Sequence, residues 1–215
     1  MDSLVTLARQ EGFLTTHQAL HLGASYRTLH ALVARGDLVH PVRSVYLPAQ
    51  ESSSLNREER HAVIVKGLLF AHPGWVASHH SALALSGVPL WDVPADTFHM
   101  ATVRRASVRR DSLHLHVLQD GDPVGEALGL RVMTPGFAAL QVAAAFGVRA
   151  GLVAVDACLR TGLTSTQVLQ RMVDSGRWRR GLASARRVVE LADGRSESAM
   201  ESVLRLALSD GDWEL

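Results

Sequence analysis

The sequence predicts an α+β, helix-rich fold: an N-terminal winged helix-turn-helix, a mixed α/β middle domain and a helical C-terminal region. Three observations lead there. Between Gly12 and Pro48, two short helical stretches separated by Gly23 run into two β-prone segments. From Thr97 to Leu118 apolar and polar residues alternate, as on half-buried strands. From Val132 to Leu191 apolar residues recur mainly at helical spacing. The expected segments are a winged helix-turn-helix over 1–50, a mixed domain over 51–193 and a C-terminal helix over 194–215.

Thr15 and Gln18 form a capping box that opens the first helix of the motif, and Gly23 stops it. Ser25 caps the second helix, in which Leu29, Leu32 and Val33 form the apolar stripe, and Gly36 ends it. Leu38–Leu47 then reads as two strands around a turn. With the stripe buried, a step of about 100° per residue centres Arg27, Ala31 and Ala34 on the opposite face. Thr28, His30 and Arg35 flank them.

Ala49–Asn56 is polar and reads as a linker, closed by a second capping box of Asn56 and Glu59. A helix follows from Arg57 to Ala71, ended by His72-Pro73-Gly74. Trp75-Val76-Ala77 is a short apolar run, and Ser78 caps a helix that stops at Gly87. In the strand region Phe98 and Met100, then Leu113, Leu115 and Val117, mark the apolar face. Val132–Leu140 begins a helix with Thr134 as cap and Pro135 as first residue. Helices continue through Gly151–Arg160, Thr164–Asp174 and Gly181–Leu191, and Ser198 with Glu201 signals a last helix start.

At 215 residues the chain can bury a substantial core. No run of eighteen uncharged apolar residues occurs, and the first residues lack the form of a secretion signal. Cys158 stands alone, which excludes an internal disulfide and a multi-cysteine zinc site. These features lead to the expectation of a cytoplasmic protein without membrane partners. The net charge is only +1, so any nucleic-acid contact must come from a local cluster.

Recognition helices read bases mainly through their first turns. The candidate DNA-binding residues are therefore Thr15, Thr16, Ser25, Tyr26, Arg27, Thr28, His30 and Arg35, with Arg43 in the wing. Arg27 suits a guanine edge, and Arg43 a phosphate or the minor groove. A small helical domain that binds protein is the alternative, because Arg9, Arg27, Arg35 and Arg43 are set against Asp2, Glu11 and Asp37. Arg104, Arg105, Arg109 and Arg110 form the densest basic patch. As a hairpin tip it would offer four guanidinium groups to phosphate; equally, it reads as solvated charge guarding a sheet edge. A second cluster, Arg177, Arg179, Arg180, Arg186 and Arg187 around Trp178, reads as a solvated helix face.

Eleven histidines raise the question of a metal. His114 and His116 share a strand face and His79-His80 are adjacent, but neither pair has a carboxylate or cysteine at a known ligand spacing. No metal and no cofactor is expected. The nucleophile elbow, the phosphate-binding loop and the dinucleotide fingerprint are all missing. Cys158 lies in an apolar helical run, where a thiol is inert.

Several segments together resemble actinobacterial proteins with an AbiEi-type antitoxin N-terminal domain, often followed by a Vsr-like endonuclease domain. They are Gly12–Thr16, Gly23–Ser25, Leu32–Gly36 and Val45–Leu47, then Val76–Leu83, Val132–Pro135, Leu152–Arg160 and Arg195–Arg205, in this order. The resemblance implies a winged-helix DNA-binding domain, a mixed middle domain and, in long members, a nuclease of the PD-(D/E)xK type. It further implies a regulator that represses its own promoter and opposes a cognate toxin. Double-stranded DNA and a toxin are thus the expected partners, and the oligomeric state stays open. Phe137-Ala138 and Gln141 replace the Arg-Thr and Asp usual in that family's helix after Thr134-Pro135. In nuclease-bearing members a glutamate in the position of Glu201 begins the acidic set that holds Mg²⁺. With the sequence ending at Leu215, Glu201 has no companion acids, so no nuclease activity is expected from this polypeptide alone. The alternatives are a truncated or split Vsr-like endonuclease, with acids supplied by another chain, and a protein-interaction module built on the winged helix.

Overall fold

A computed structural model of the chain describes residues 2–176, 178 and 180–211. It is a mixed α+β structure divided into two compact units, residues 1–76 with 95–117, and residues 77–94 with 118–215.

The first unit opens with α1 (Asp2–Glu11), a helix not anticipated from the sequence. Leu4 and Ala8, one turn apart, are buried and join Leu14, Ala19, Leu29, Leu32, Leu38 and Tyr46 in one core. Next come β1 (Leu14–Thr15), α2 (Thr16–His21) and α3 (Tyr26–Ala34), then β2 (Leu38–Val42) and β3 (Val45–Pro48). The three strands form an antiparallel sheet in the order β1-β3-β2. Val42 faces Val45 across a tight turn at Arg43-Ser44, where Ser44 takes a left-handed backbone (φ 73°). This is the expected helix-turn-helix with a β-hairpin wing.

The expected linker is instead α4 (Ala49–Ser54). Each of its three serines donates its hydroxyl to the carbonyl three residues back, Ser52 to Ala49, Ser53 to Gln50 and Ser54 to Glu51. A polar stretch can therefore close a helical turn by bonding its own backbone. The Asn56–Glu59 capping box opens α5 (Arg57–Ala71) as expected. Gly67 lets α5 approach β3, since a Cβ there would stand 2.7 Å from Val45 Cγ1. The chain then passes through β4 (Val76–Ala77) and α6 (His79–Leu85) before returning as β5 (Phe98–Thr102), β6 (Val108–Arg110) and β7 (Leu113–Val117).

These last strands run in the order β6-β7-β5, with β7 parallel to β5 and antiparallel to β6. The chain therefore crosses past β7 after β5 and returns between its two predecessors. The basic patch is not a hairpin tip. Arg104 and Arg105 lie in the crossing loop, whereas Arg109 and Arg110 lie on the edge strand β6, on alternate faces.

In the second unit, Ala77 of β4 pairs in parallel with Val132 of β9 (Leu130–Met133). β8 (Val124–Ala127) pairs antiparallel with β9 around Leu128 (φ 53°) and Gly129 (φ 71°). Val132 and Met133 are thus strand residues rather than the start of a helix. Thr134 and Pro135 do begin the next one, α7 (Pro135–Phe146), although Thr134 makes no side-chain capping bond. After Gly147, α8 (Val148–Arg160) packs against α7. Gly151 makes that contact possible, because a Cβ would meet Ala143 Cβ at 2.3 Å and its Cα at 2.6 Å. α9 (Thr166–Asp174), α10 (Leu182–Leu191) and α11 (Ala199–Asp210) complete the helical C-terminal region.

Candidate nucleic-acid interface

The first unit's helix-turn-helix is set by two caps. Thr15 is buried, and its hydroxyl accepts from Gln18 N at 3.1 Å and meets Gln18 Oε1 at 2.9 Å. Gln18 Oε1 accepts in return from Thr15 N. Thr15 is thereby committed to holding the start of α2. Thr16, half-buried, bonds Ser44 O through its backbone and Tyr46 through its side chain. It ties α2 to the wing.

Gly23 (φ 82°) turns the chain into the second cap. Ser25 Oγ accepts from Thr28 N at 3.1 Å and lies 3.0 Å from Thr28 Oγ1, which in turn accepts from Ser25 N. Both hydroxyls serve the helix start. Leu29 and Leu32 are buried beneath it. Arg27 and Ala34 are exposed, as the helical spacing requires, with His30 and Arg35 beside them, whereas Ala31 is half-buried; Tyr26, which the spacing sets beside the apolar stripe, is 60% exposed.

Charge is distributed unevenly over this segment. Arg9 pairs with Glu51 at 2.8 Å, and Arg35, at the C-cap of α3, pairs with Asp37. Among the described residues no carboxylate pairs with Arg27 or Arg43, both exposed. On the wing, His40 stacks on Tyr46 at 4.2 Å between ring centroids. Burial, helped by His30, lowers the His40 pKa; burial raises that of Tyr46. Burial and the neighbouring Arg43 charge lower that of His72.

Arg105, Arg109 and Arg110 are exposed and Arg104 half-buried. Two arginines on an edge strand suit the edge-guarding alternative. In the second cluster, Arg177 and Arg179 lie outside the described residues. Trp178 is anchored by Nε1 donating to Met172 O at 2.8 Å, and Arg187 lies 3.7 Å from Glu190.

The histidines are arranged in a way the sequence did not reveal. His114 and His116 share a face of β7, and β5 brings His99 beside them: ring centroids of His99 lie 4.8 Å from His114 and 5.0 Å from His116. The only local signal was a histidine in a second strand; its register with β7 is a long-range fact. His79 and His80 diverge, with His80 buried edge-on to Phe146. In the first unit His61 lines a cleft of about 420 Å³ with Arg57, Arg60 and Asp96. Its Nδ1 lies 2.8 Å from Ala95 O, and burial pushes its pKa down to about 4.

In the second unit Glu201 serves as a cap. Its carboxylate accepts from Glu197 N at 2.9 Å and from Ser198 Oγ at 3.0 Å. Gln141, one of the departures from the family pattern, accepts from His79 N at 3.0 Å and so supports the start of α6. Cys158 is fully buried, and burial pushes its thiol pKa up to about 12, which fits an inert sulfur.

The first unit thus carries a winged helix-turn-helix with one solvent-facing helix flank, on which Arg27, like Arg43 in the wing, has no carboxylate partner among the described residues. A stretch of 82 residues is 37% identical to two uncharacterized proteins of Mycobacterium tuberculosis, MT2308 and Rv2248, from two strains. It covers 38% of this chain and 30% of each relative, a distant and partial similarity. No family model matches the chain. No described helix is long and apolar enough to cross a membrane.

Proposed function

We propose that this protein is a cytoplasmic DNA-binding regulator of the AbiEi antitoxin type, which represses its own promoter and opposes a cognate toxin. The observation that carries the proposal is the outer flank of α3. Its capping hydroxyls are consumed by the helix start, while Tyr26, Arg27 and His30 stay exposed and Arg27 has no carboxylate partner among the described residues. In this reading Arg27 reads a base edge in the major groove and Arg43 holds backbone or minor groove. Arg104, Arg105, Arg109 and Arg110 add phosphate attraction without reading sequence. The ordered family-like segments support the antitoxin assignment. The engagement of Glu201 in a helix cap supports a chain that does not cleave DNA itself.

Fluorescence anisotropy tests the proposal, using DNA from upstream of the protein's own gene and an unrelated duplex of equal length. Selective binding that weakens steeply between roughly 50 and 200 mM salt is expected. Equal, weak binding to both duplexes would refute it and return the winged helix to a protein-docking role.

A further inference from the structure

β5 and β7 pair in parallel and in register, with His99 opposite His114 and Ala101 opposite His116. Residues two apart on a strand share a face, so His99, His114 and His116 lie on the same side of this strand pair. Ala101 offers only a methyl group opposite His116, which leaves room for that ring to lean toward His99. The two rings are nearly parallel, 24° apart, with His116 Nε2 at 3.0 Å from His99 Nδ1. The third ring, His114, packs against His99 at 59°, and its Nδ1 is buried with no hydrogen-bond partner among the described residues.

We propose that His99 and His116, joined by His114, bind a divalent transition metal of the zinc type. Two imidazole nitrogens on a tetrahedral zinc, each about 2.05 Å from the metal, stand roughly 3.3 Å apart. The His99–His116 pair is already within a few tenths of an ångström of that spacing. An all-imidazole donor set selects Zn²⁺, Co²⁺, Ni²⁺ or Cu²⁺ and rejects Mg²⁺ and Ca²⁺, which require oxygen. Metal ligation needs neutral imidazole. In this proposal His114, on the same strand face with Nδ1 buried, supplies the third nitrogen, and water takes the fourth position. The Arg109 charge opposes a bound cation, so the affinity is that of a modest site. The site stands on β5 and β7 and is independent of the DNA-facing flank of α3.

The full-length protein, freed of metal by chelation, is titrated with CoCl2 and then with ZnCl2. One equivalent of Co²⁺ with the visible absorption of tetrahedral coordination, displaced by Zn²⁺, is expected. Exposed His17 and His21, stacked on α2 at 6.2 Å, form the competing pair. His17→Gln therefore keeps the equivalent, whereas His116→Gln weakens it about tenfold or more with far-UV circular dichroism unchanged. Should His116→Gln fail to fold, half-exposed His114→Gln takes its place and shows the same loss. No bound equivalent in the wild type, or binding lost in His17→Gln and retained in the strand variants, overturns the proposal.

Discussion

Replacing Asp156 by alanine tests how the C-terminal helix is held. Asp156 lies on α8 at 1% exposure, and its carboxylate accepts from Asp193 N at 2.7 Å and Ser202 Oγ at 2.6 Å. It also forms an ion pair with Arg205, whose guanidinium bonds Leu191 O as well and lies 3.3 Å from Ser196 Oγ. One side chain thus fastens α11 and the segment before it to α8. Alanine would leave three donors facing a cavity. Removing one member of a buried ion pair costs about 3–5 kcal/mol. Arg205 is 28% exposed and keeps two other acceptors, so its charge partly recovers water, which sets the expected loss near the lower end, about 3 kcal/mol. Ser202→Ala removes one hydrogen bond to a charged group and should cost about 1.5 kcal/mol. Urea denaturation gives both values, and hydrogen exchange should show faster opening of α11 in each variant. An Asp156→Ala protein within about 1 kcal/mol of wild type, or a larger loss for Ser202→Ala, would refute this reasoning.

Other substitutions separate backbone from side-chain crowding. Gly151→Ala should destabilise by about 2 kcal/mol despite better helix propensity, because the new methyl meets the backbone of α7. Gly67→Ala meets first a rotatable methyl of Val45 and should cost less; equal losses in urea melts would contradict the contrast. Burial holds His61 neutral down to about pH 4, against the ordinary histidine value of 6.5, so the unfolded chain takes up the proton first. The His61 contribution to stability should therefore be level above pH 6.5 and fall by up to about 3 kcal/mol as pH drops to about 4, in addition to that of the other buried histidines. His61→Gln should flatten part of that slope, and an unchanged slope would exclude the assignment. Cys158 should resist a thiol reagent in the native protein and react fully in urea; native reactivity would show that the thiol is accessible.

The elements legible in the sequence were those defined by near neighbours. Thr15–Gln18, Ser25 and Asn56–Glu59 announce helix starts because a cap is satisfied within three residues. The β8–β9 hairpin was hidden by its turn. Leu128 occupies a left-handed position where Asn or Asp is the usual signal, so Ala-Leu-Gly-Leu does not read as a turn. α1 escaped because its amphipathic stripe is short, resting on Leu4 and Ala8. The exposed flank of α3 followed from helical periodicity alone. What could not be read was which charges are matched: Arg9 finds Glu51 on another helix, a pairing set by packing. The histidine cluster likewise depends on strand register, which spacing within β7 does not determine.

The central claim is that α3 reads DNA through Arg27. Its most direct test is competition binding, comparing wild type with Arg27→Ala on the upstream duplex and on duplexes altered one base pair at a time. Arg27→Ala should bind the upstream site about 1–3 kcal/mol more weakly and lose preference at one guanine-containing position, with circular dichroism unchanged. A variant that keeps both affinity and base preference would contradict the account.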